Sequence, residues 1–172
     1  MNPARIGAWA RLLLIALLLG GCASPAPLPA QSPALALPLQ LHVQRQQAAD
    51  NLDWLLVIQA EPDGLRWSLL DPLGVPLARQ RLVDGQWQND GLLPPNPEAR
   101  ELFAALLFAL SPGAELARAY PGLDWQTDDQ QRSLRQGDRH WQVHYRQALR
   151  FELLTQGELR YSVAPLVQES RP

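Results

Sequence analysis

Along most of this chain, apolar residues recur at every second position, the spacing of a strand with one buried face. Leu39, Leu41 and Val43 alternate with Gln40, His42 and Gln44. Residues 46–51 are polar and predict a connection. Residues 52–60 carry Leu52, Trp54, Leu56 and Ile58 on one face and Leu55 and Val57 on the other. A strand apolar on both faces sits mid-sheet with cover on each side, or lines a cavity. Glu61-Pro62-Asp63-Gly64 and Asp71-Pro72-Leu73-Gly74 carry proline and glycine where tight turns need them. Between them Leu65, Trp67 and Leu69 share a face. In residues 75–83, Arg79 and Arg81 share a face with Val75, Leu77 and Val83. Asp84-Gly85 predicts a two-residue hairpin, with 86–89 as the return strand. Residues 39–89 therefore read as an antiparallel meander.

The period then changes. Asn96 is placed as an N-cap, Pro97 suits the first helical position, and Glu98 and Glu101 lie near the positive helix end. Ala99, Leu102, Phe103, Leu106, Leu107 and Leu110 recur at helical spacing, while Ala104, Ala105, Phe108 and Ala109 fill the other faces. A helix apolar nearly all round is buried on most sides. Ser111-Pro112-Gly113 ends it, and 114–120 predicts a further turn or two of helix. Residues 127–131 are polar, and strands resume at 131–135. After Gly137-Asp138, Trp141, Val143 and Tyr145 alternate with His140, Gln142 and His144. Leu149, Phe151 and Leu153 form another strand, Gln156-Gly157 turns it, and Leu159, Tyr161 and Val163 close the sheet. The predicted class is α+β, mostly β: an antiparallel curved sheet wrapped around a central apolar helix, with a cleft wherever the two do not meet. Residues 39–164 form this domain, and 165–172 read as a flexible tail.

The N-terminal residues follow a different logic. Arg5 and Arg11 precede an apolar run over 12–19, and Leu19-Gly20-Gly21-Cys22 follows. This is a lipobox: small residues fit a signal peptidase, and the cysteine thiolate is the nucleophile that takes a diacylglyceryl group. The run is too short for a membrane span, which needs about 20 apolar residues. Residues 1–21 are thus expected as a signal peptide. Cys22 then becomes an acylated N-terminus, as in palmitate-bearing lipoproteins. Ala23 and Ser24 follow it in place of an inner-membrane retention aspartate, so the expected location is the periplasmic face of the outer membrane. Residues 22–38 hold Pro25, Pro27, Pro29, Pro33 and Pro38. At the polyproline rise of about 3.1 Å per residue, the segment 23–38 spans roughly 50 Å as a tether, with 35–38 read either as its end or as an edge of the domain. Cys22 is the only cysteine, so no disulfide forms within one chain. Loss of Arg5 and Arg11 takes the formal charge from −2 to −4, which offers no footprint for nucleic acid.

Catalytic motifs are missing: no G-x-S-x-G elbow, no glycine-rich phosphate loop and no H-E-x-x-H occurs. His140 and His144 would stand about 13 Å apart along a strand, too far for one metal ion. Asp128 and Asp129 read as solvated loop charges. No enzyme activity, cofactor or metal is expected. Trp54, Trp67, Trp87, Trp125 and Trp141 read as core packing or as the indole lining of an apolar pocket. The candidate cavity lining is Trp54, Leu56, Ile58, Trp67, Leu69, Phe103 and Leu107. Arg79 and Arg81 are a solvated face or a site for an anionic head group at the pocket mouth. Leu73 is a plain turn residue or an exposed apolar finger.

The lipobox at Cys22, the stretch Trp67-Ser68-Leu69-Leu70-Asp71-Pro72-Leu73-Gly74, the run Asn89-Asp90-Gly91-Leu92-Leu93-Pro94-Pro95 and the apolar helix after it resemble a family of outer-membrane lipoproteins of unknown function. Its members often occur with aryl-polyene pigment biosynthesis genes. The resemblance covers most of the mature domain. It implies a shape similar to LolA and LolB, the carrier and receptor for lipoproteins: a half-open β-barrel capped by helices around an apolar cavity. LolB carries an exposed leucine on a loop, and the resemblance makes Leu73 the candidate counterpart without carrying that role over. The function this implies is binding or transfer of a lipid-like cargo, such as an acyl chain, a lipoprotein anchor or an aryl-polyene lipid. The alternative is a non-catalytic adaptor that scaffolds an envelope assembly. The expected partners are the membrane through Cys22, a lipid-like ligand and a periplasmic protein.

Overall fold

A computed structural model describes residues 25–166. The expected signal peptide, Cys22 and residues 167–172 lie outside them. Among the described residues, ten antiparallel strands form one open sheet in the order β5-β4-β3-β2-β1-β10-β9-β8-β7-β6. The first five are β1 (Leu39–Gln47), β2 (Asp50–Glu61), β3 (Gly64–Leu70), β4 (Pro76–Val83) and β5 (Gln86–Asn89). Helix α1 (Pro97–Leu110), a 3-10 turn (Gly113–Glu115) and the short α2 (Leu116–Ala119) then cross to the other half. There β6 (Asp124–Thr127), β7 (Gln131–Gln136), β8 (Arg139–Gln147), β9 (Arg150–Leu154) and β10 (Arg160–Pro165) return the chain. The halves join where β10 pairs with β1, Val43 opposite Val163.

The period of two sets which face is buried. Leu41, Val43, Leu56, Ile58, Trp67, Leu69, Leu134, Trp141, Val143, Phe151, Leu153, Tyr161 and Val163 are all buried on the inner face. Helix α1 lies against that face. Its Phe103 ring centroid is 5.3 Å from that of Trp67 on β3 and 5.8 Å from that of Trp87 on β5. Phe108 meets Trp141 on β8 at 6.1 Å, and Arg132 on β7 reaches the Phe108 carbonyl. In strand order, β5 and β7 are eight spacings apart, about 38 Å if the sheet were flat. A helix of this length is only about 21 Å long. The sheet must therefore bend for one helix to touch both.

Several expectations change. The polar residues 46–51 are mostly strand: Gln47 pairs with Asp50 across a tight turn at Ala48, whose φ is 50°. Polar side chains did not end the strands because this end of the hairpin is exposed. Strand β6 went unread because it has four residues and only Trp125 half-buried, too short to show a period. Leu55 and Val57 are half-exposed on the outer face, so they neither find cover nor line a cavity. Pro165 lies in β10 and the Leu166 N–H donates to Gln40 O at 2.9 Å, so the sheet runs into the expected tail.

The proline-rich segment differs most. The tether reading predicts a free segment, yet Pro27, Pro29 and Pro33 are buried and Ala26 and Leu28 pack on the core, while Leu35 and Leu37 pack there as the domain-edge alternative has it. Ala30 N–H donates to Ala119 O at 2.7 Å, and Arg139 Nη1 donates to Pro25 O at 3.4 Å. Proline rings carry apolar surface and lack an N–H to satisfy, so an extended proline-rich chain can cover a core that the sheet leaves open.

Candidate functional site: a helix held inside an open sheet

Helix α1 begins as its sequence dictates. Asn96 Oδ1 accepts the Ala99 N–H at 3.0 Å, and Pro97 supplies the first helical position. Residues 102–109 are all buried. With no polar face, the helix is tied to the sheet by polar contacts only near its ends.

At the N-terminal end, Glu98 and Glu101 face four partners. Arg45 Nε donates to Glu98 Oε1 at 2.6 Å, and Tyr161 OH donates to the same oxygen at 3.1 Å. Arg139 Nε and Trp141 Nε1 donate to Glu101 Oε1 at 2.8 and 2.7 Å. The hydrogen bond to Glu98 raises the Arg45 pKa against the opposing cost of burial. Burial, followed by the Glu98 charge, pushes the Tyr161 phenol well above its ordinary value. These carboxylates also sit at the positive end of the helix dipole.

At the C-terminal end, Arg132 is 8% exposed. Its Nη1 donates to Phe108 O at 2.7 Å, Ser111 O at 2.8 Å and Ala109 O at 3.2 Å. Tyr145 OH donates to Ala109 O at 2.6 Å. The guanidinium lies 5.6 Å from the Phe108 ring centroid and 5.5 Å from that of Tyr145. A cation thus meets the negative end of the helix and the carbonyls that helix geometry leaves unpaired. Burial pushes the Tyr145 phenol up to about 12, although the Arg132 charge pulls it down.

The candidate lining residues gather here, but as a filled interior. Leu56, Ile58, Trp67, Leu69, Phe103 and Leu107 are at most 1% exposed. Trp54 is half-buried at the rim, its ring 6.2 Å from Tyr161. None of the seven lines a cavity described for residues 25–166. The largest of these openings, about 630 Å³, lies at the C-terminal end of α1 between Pro112, Gln130 and Ala148. Where helix and sheet meet, α1 and its aromatic neighbours fill the space between them, because the helix has no polar face to turn outward.

Arg79 and Arg81 lie on the outer face, away from the helix. Arg79 pairs with Asp90 at 3.1 Å and Arg81 with Asp63 at 2.9 Å. They are not at a pocket mouth: the buried face of β4 is Ala78, Gln80 and Leu82. Leu73 is 88% exposed. Its turn is held by Asp71 Oδ1, which accepts the Leu73 and Val75 N–H groups at 2.9 and 2.8 Å. His140 and His144 sit on the outer face of β8, and burial lowers the His140 pKa. Asp128 Oδ1 accepts the Gln130 and Gln131 N–H groups at 2.8 and 2.7 Å, so it shapes its turn.

Sequence reasoning missed Arg132 and Gln80. Both hold the parity of buried neighbours, Leu134 in one case and Ala78 and Leu82 in the other, and that parity was the available signal. Gln80 Oε1, Trp67 Nε1 and Trp87 Nε1 are buried without a hydrogen-bond partner. Trp67 and Gln80 are paired across β3 and β4.

No curated protein matches the chain. A family model does match it, over residues 38–164, which is almost the whole of the sheet and its helix. The chain belongs to that family, described as a protein of unknown function, DUF3261.

Proposed function

We propose that the protein is an outer-membrane lipoprotein, anchored at the periplasmic face through Cys22, whose body binds or transfers a lipid-like cargo. The body is a half-open barrel of the LolA/LolB kind, and the setting is aryl-polyene or related envelope lipid assembly. The reading involves no catalysis and no cofactor. One observation carries it: a helix with no polar face fills the inner side of an open sheet and is tied down only near its ends. Removing such a helix from the sheet would leave an apolar surface of Trp67, Leu69, Leu56 and Ile58. An acyl chain satisfies that surface as well as α1 does, since apolar burial is not directional. The resting protein then protects its own site, and the cargo exchanges with the helix.

A fluorescent fatty acid titrated into the purified protein tests this. Energy transfer from tryptophan to the probe, reversed by unlabelled lipid, is the expected outcome. No transfer at any lipid concentration would remove the cargo.

A second reading, a non-catalytic adaptor at the membrane, is favoured by the filled interior, because an adaptor needs no cavity. Crosslinking in intact cells separates the two. Stable protein adducts with no bound lipid would support the adaptor.

A further inference from the structure

Antiparallel pairing puts the β1–β2 turn, the β3–β4 turn, the exit of β5, the start of α1 and the β7–β8 turn at one end of the sheet. The described chain also begins there, because Pro25 O accepts from Arg139, the first residue of β8. This same end exposes leucine. Leu92, between β5 and α1, is 105% exposed, and Leu73, in the β3–β4 turn, is 88% exposed. Val75 and Leu52 add partly exposed surface at 54% and 48%. Among the described residues, the remaining large exposed hydrophobic is Leu166, at the opposite end and 40% exposed. Strands β3 and β5 are separated only by β4, so the two loops leave the sheet about 10 Å apart. The Asp71 carboxylate is taken up by its own turn, which leaves Leu73 as the exposed group at the tip.

Chain length fixes where an anchor must be. Cys22 is three residues before Pro25, a reach of at most about 11 Å. Because the segment after Pro25 lies along the body, it cannot hold the domain at the roughly 50 Å of a free polyproline tether.

We propose that this end of the sheet is seated on the lipid bilayer, with Leu73 and Leu92 in the boundary between head groups and acyl chains beside the anchor. The inference rests on the lipid-anchor reading of Cys22. Acyl chains and exposed apolar side chains then act as two membrane signals on one face.

The test uses the full acylated protein in vesicles of phosphatidylethanolamine and phosphatidylglycerol. Cys22 is the only cysteine and its sulfur carries the lipid, so Leu73→Cys, Leu92→Cys and, at the opposite end, Ala148→Cys each take a single nitroxide. Flotation with vesicles reports the anchor, and collision of the nitroxide with oxygen or with a water-soluble nickel complex reports depth. At 73 and 92 the oxygen-to-nickel ratio is expected to exceed that at 148 several-fold. Flotation with all three labels equally open to nickel overturns the seating while leaving the anchor intact. Failure to float removes the anchor and the seating with it.

Discussion

Replacement of Arg132 by Met removes the guanidinium and keeps most of its apolar stem. Three carbonyls lose their donor: Phe108 O, Ala109 O and Ser111 O. Ala109 O keeps the Tyr145 hydroxyl at 2.6 Å, so two carbonyls are orphaned. Each buried unpaired carbonyl costs about 1–3 kcal/mol. Loss of the favourable end charge adds to this, while relief of the cost of burying the guanidinium subtracts. The expected net loss is about 3 kcal/mol. With a urea dependence of about 2 kcal/mol per molar, the unfolding midpoint falls by roughly 1.5 M. Arg132→Lys should lose about half as much, because a single ammonium keeps one of the carbonyl bonds. Urea unfolding followed by tryptophan fluorescence measures both. A loss under about 1 kcal/mol for the Met variant, at unchanged slope, would refute the view that Arg132 holds the end of α1.

The three tyrosines give a pH signature. Tyr120, Tyr145 and Tyr161 are all raised by burial from an ordinary value of 10.0, Tyr145 to about 12. Their folded pKa values exceed the unfolded ones, so the stability they contribute is complete below pH 10.0; that of Tyr145 is lost as pH climbs through about 12, and those of Tyr120 and Tyr161 at still higher pH. At pH 11 the folded protein should show almost no tyrosinate absorbance until denaturant is added; tyrosinate appearing before unfolding would contradict the buried assignments. Phe103→Ala, at the junction of Trp67 and Trp87, should cost about 3–5 kcal/mol in the same urea experiment. Gly64→Ala places a Cβ against the backbone oxygen of Leu82 and should cost about 3 kcal/mol; a neutral result would mean that the β3–β4 spacing is wrong. Cys22→Ser should leave urea stability unchanged while the precursor keeps its signal peptide, seen as a heavier mass. Normal processing and membrane fractionation of that variant would end the anchor reading.

Much of the sheet was legible because its strands alternate strictly. Leu39, Leu41 and Val43 in β1, and Trp141 and Val143 in β8, sit on the buried face that their spacing assigned. Helix α1 was legible from its start signals, Asn96, Pro97 and Glu98, and its bounds follow them. What the spacing could not give was the occupancy of the interior. An all-round apolar helix and a set of tryptophans are compatible with a lined cavity or with a filled one, and only packing separates these. The segment 25–38 failed for a related reason: proline content predicts extension, which holds, but not whether the extended chain is solvated or lies against apolar surface. In β4 the arginines drew attention to the outer face, although the inner face of Ala78, Gln80 and Leu82 packs the core.

The proposed exchange of α1 for a lipid-like guest is tested most directly by native mass spectrometry of the protein released gently from cell envelopes. The account predicts a population heavier than the acylated chain by the mass of one lipid-like molecule, lost when excess competing fatty acid is added. A single species at the mass of the acylated chain, unchanged by any added lipid, would contradict it.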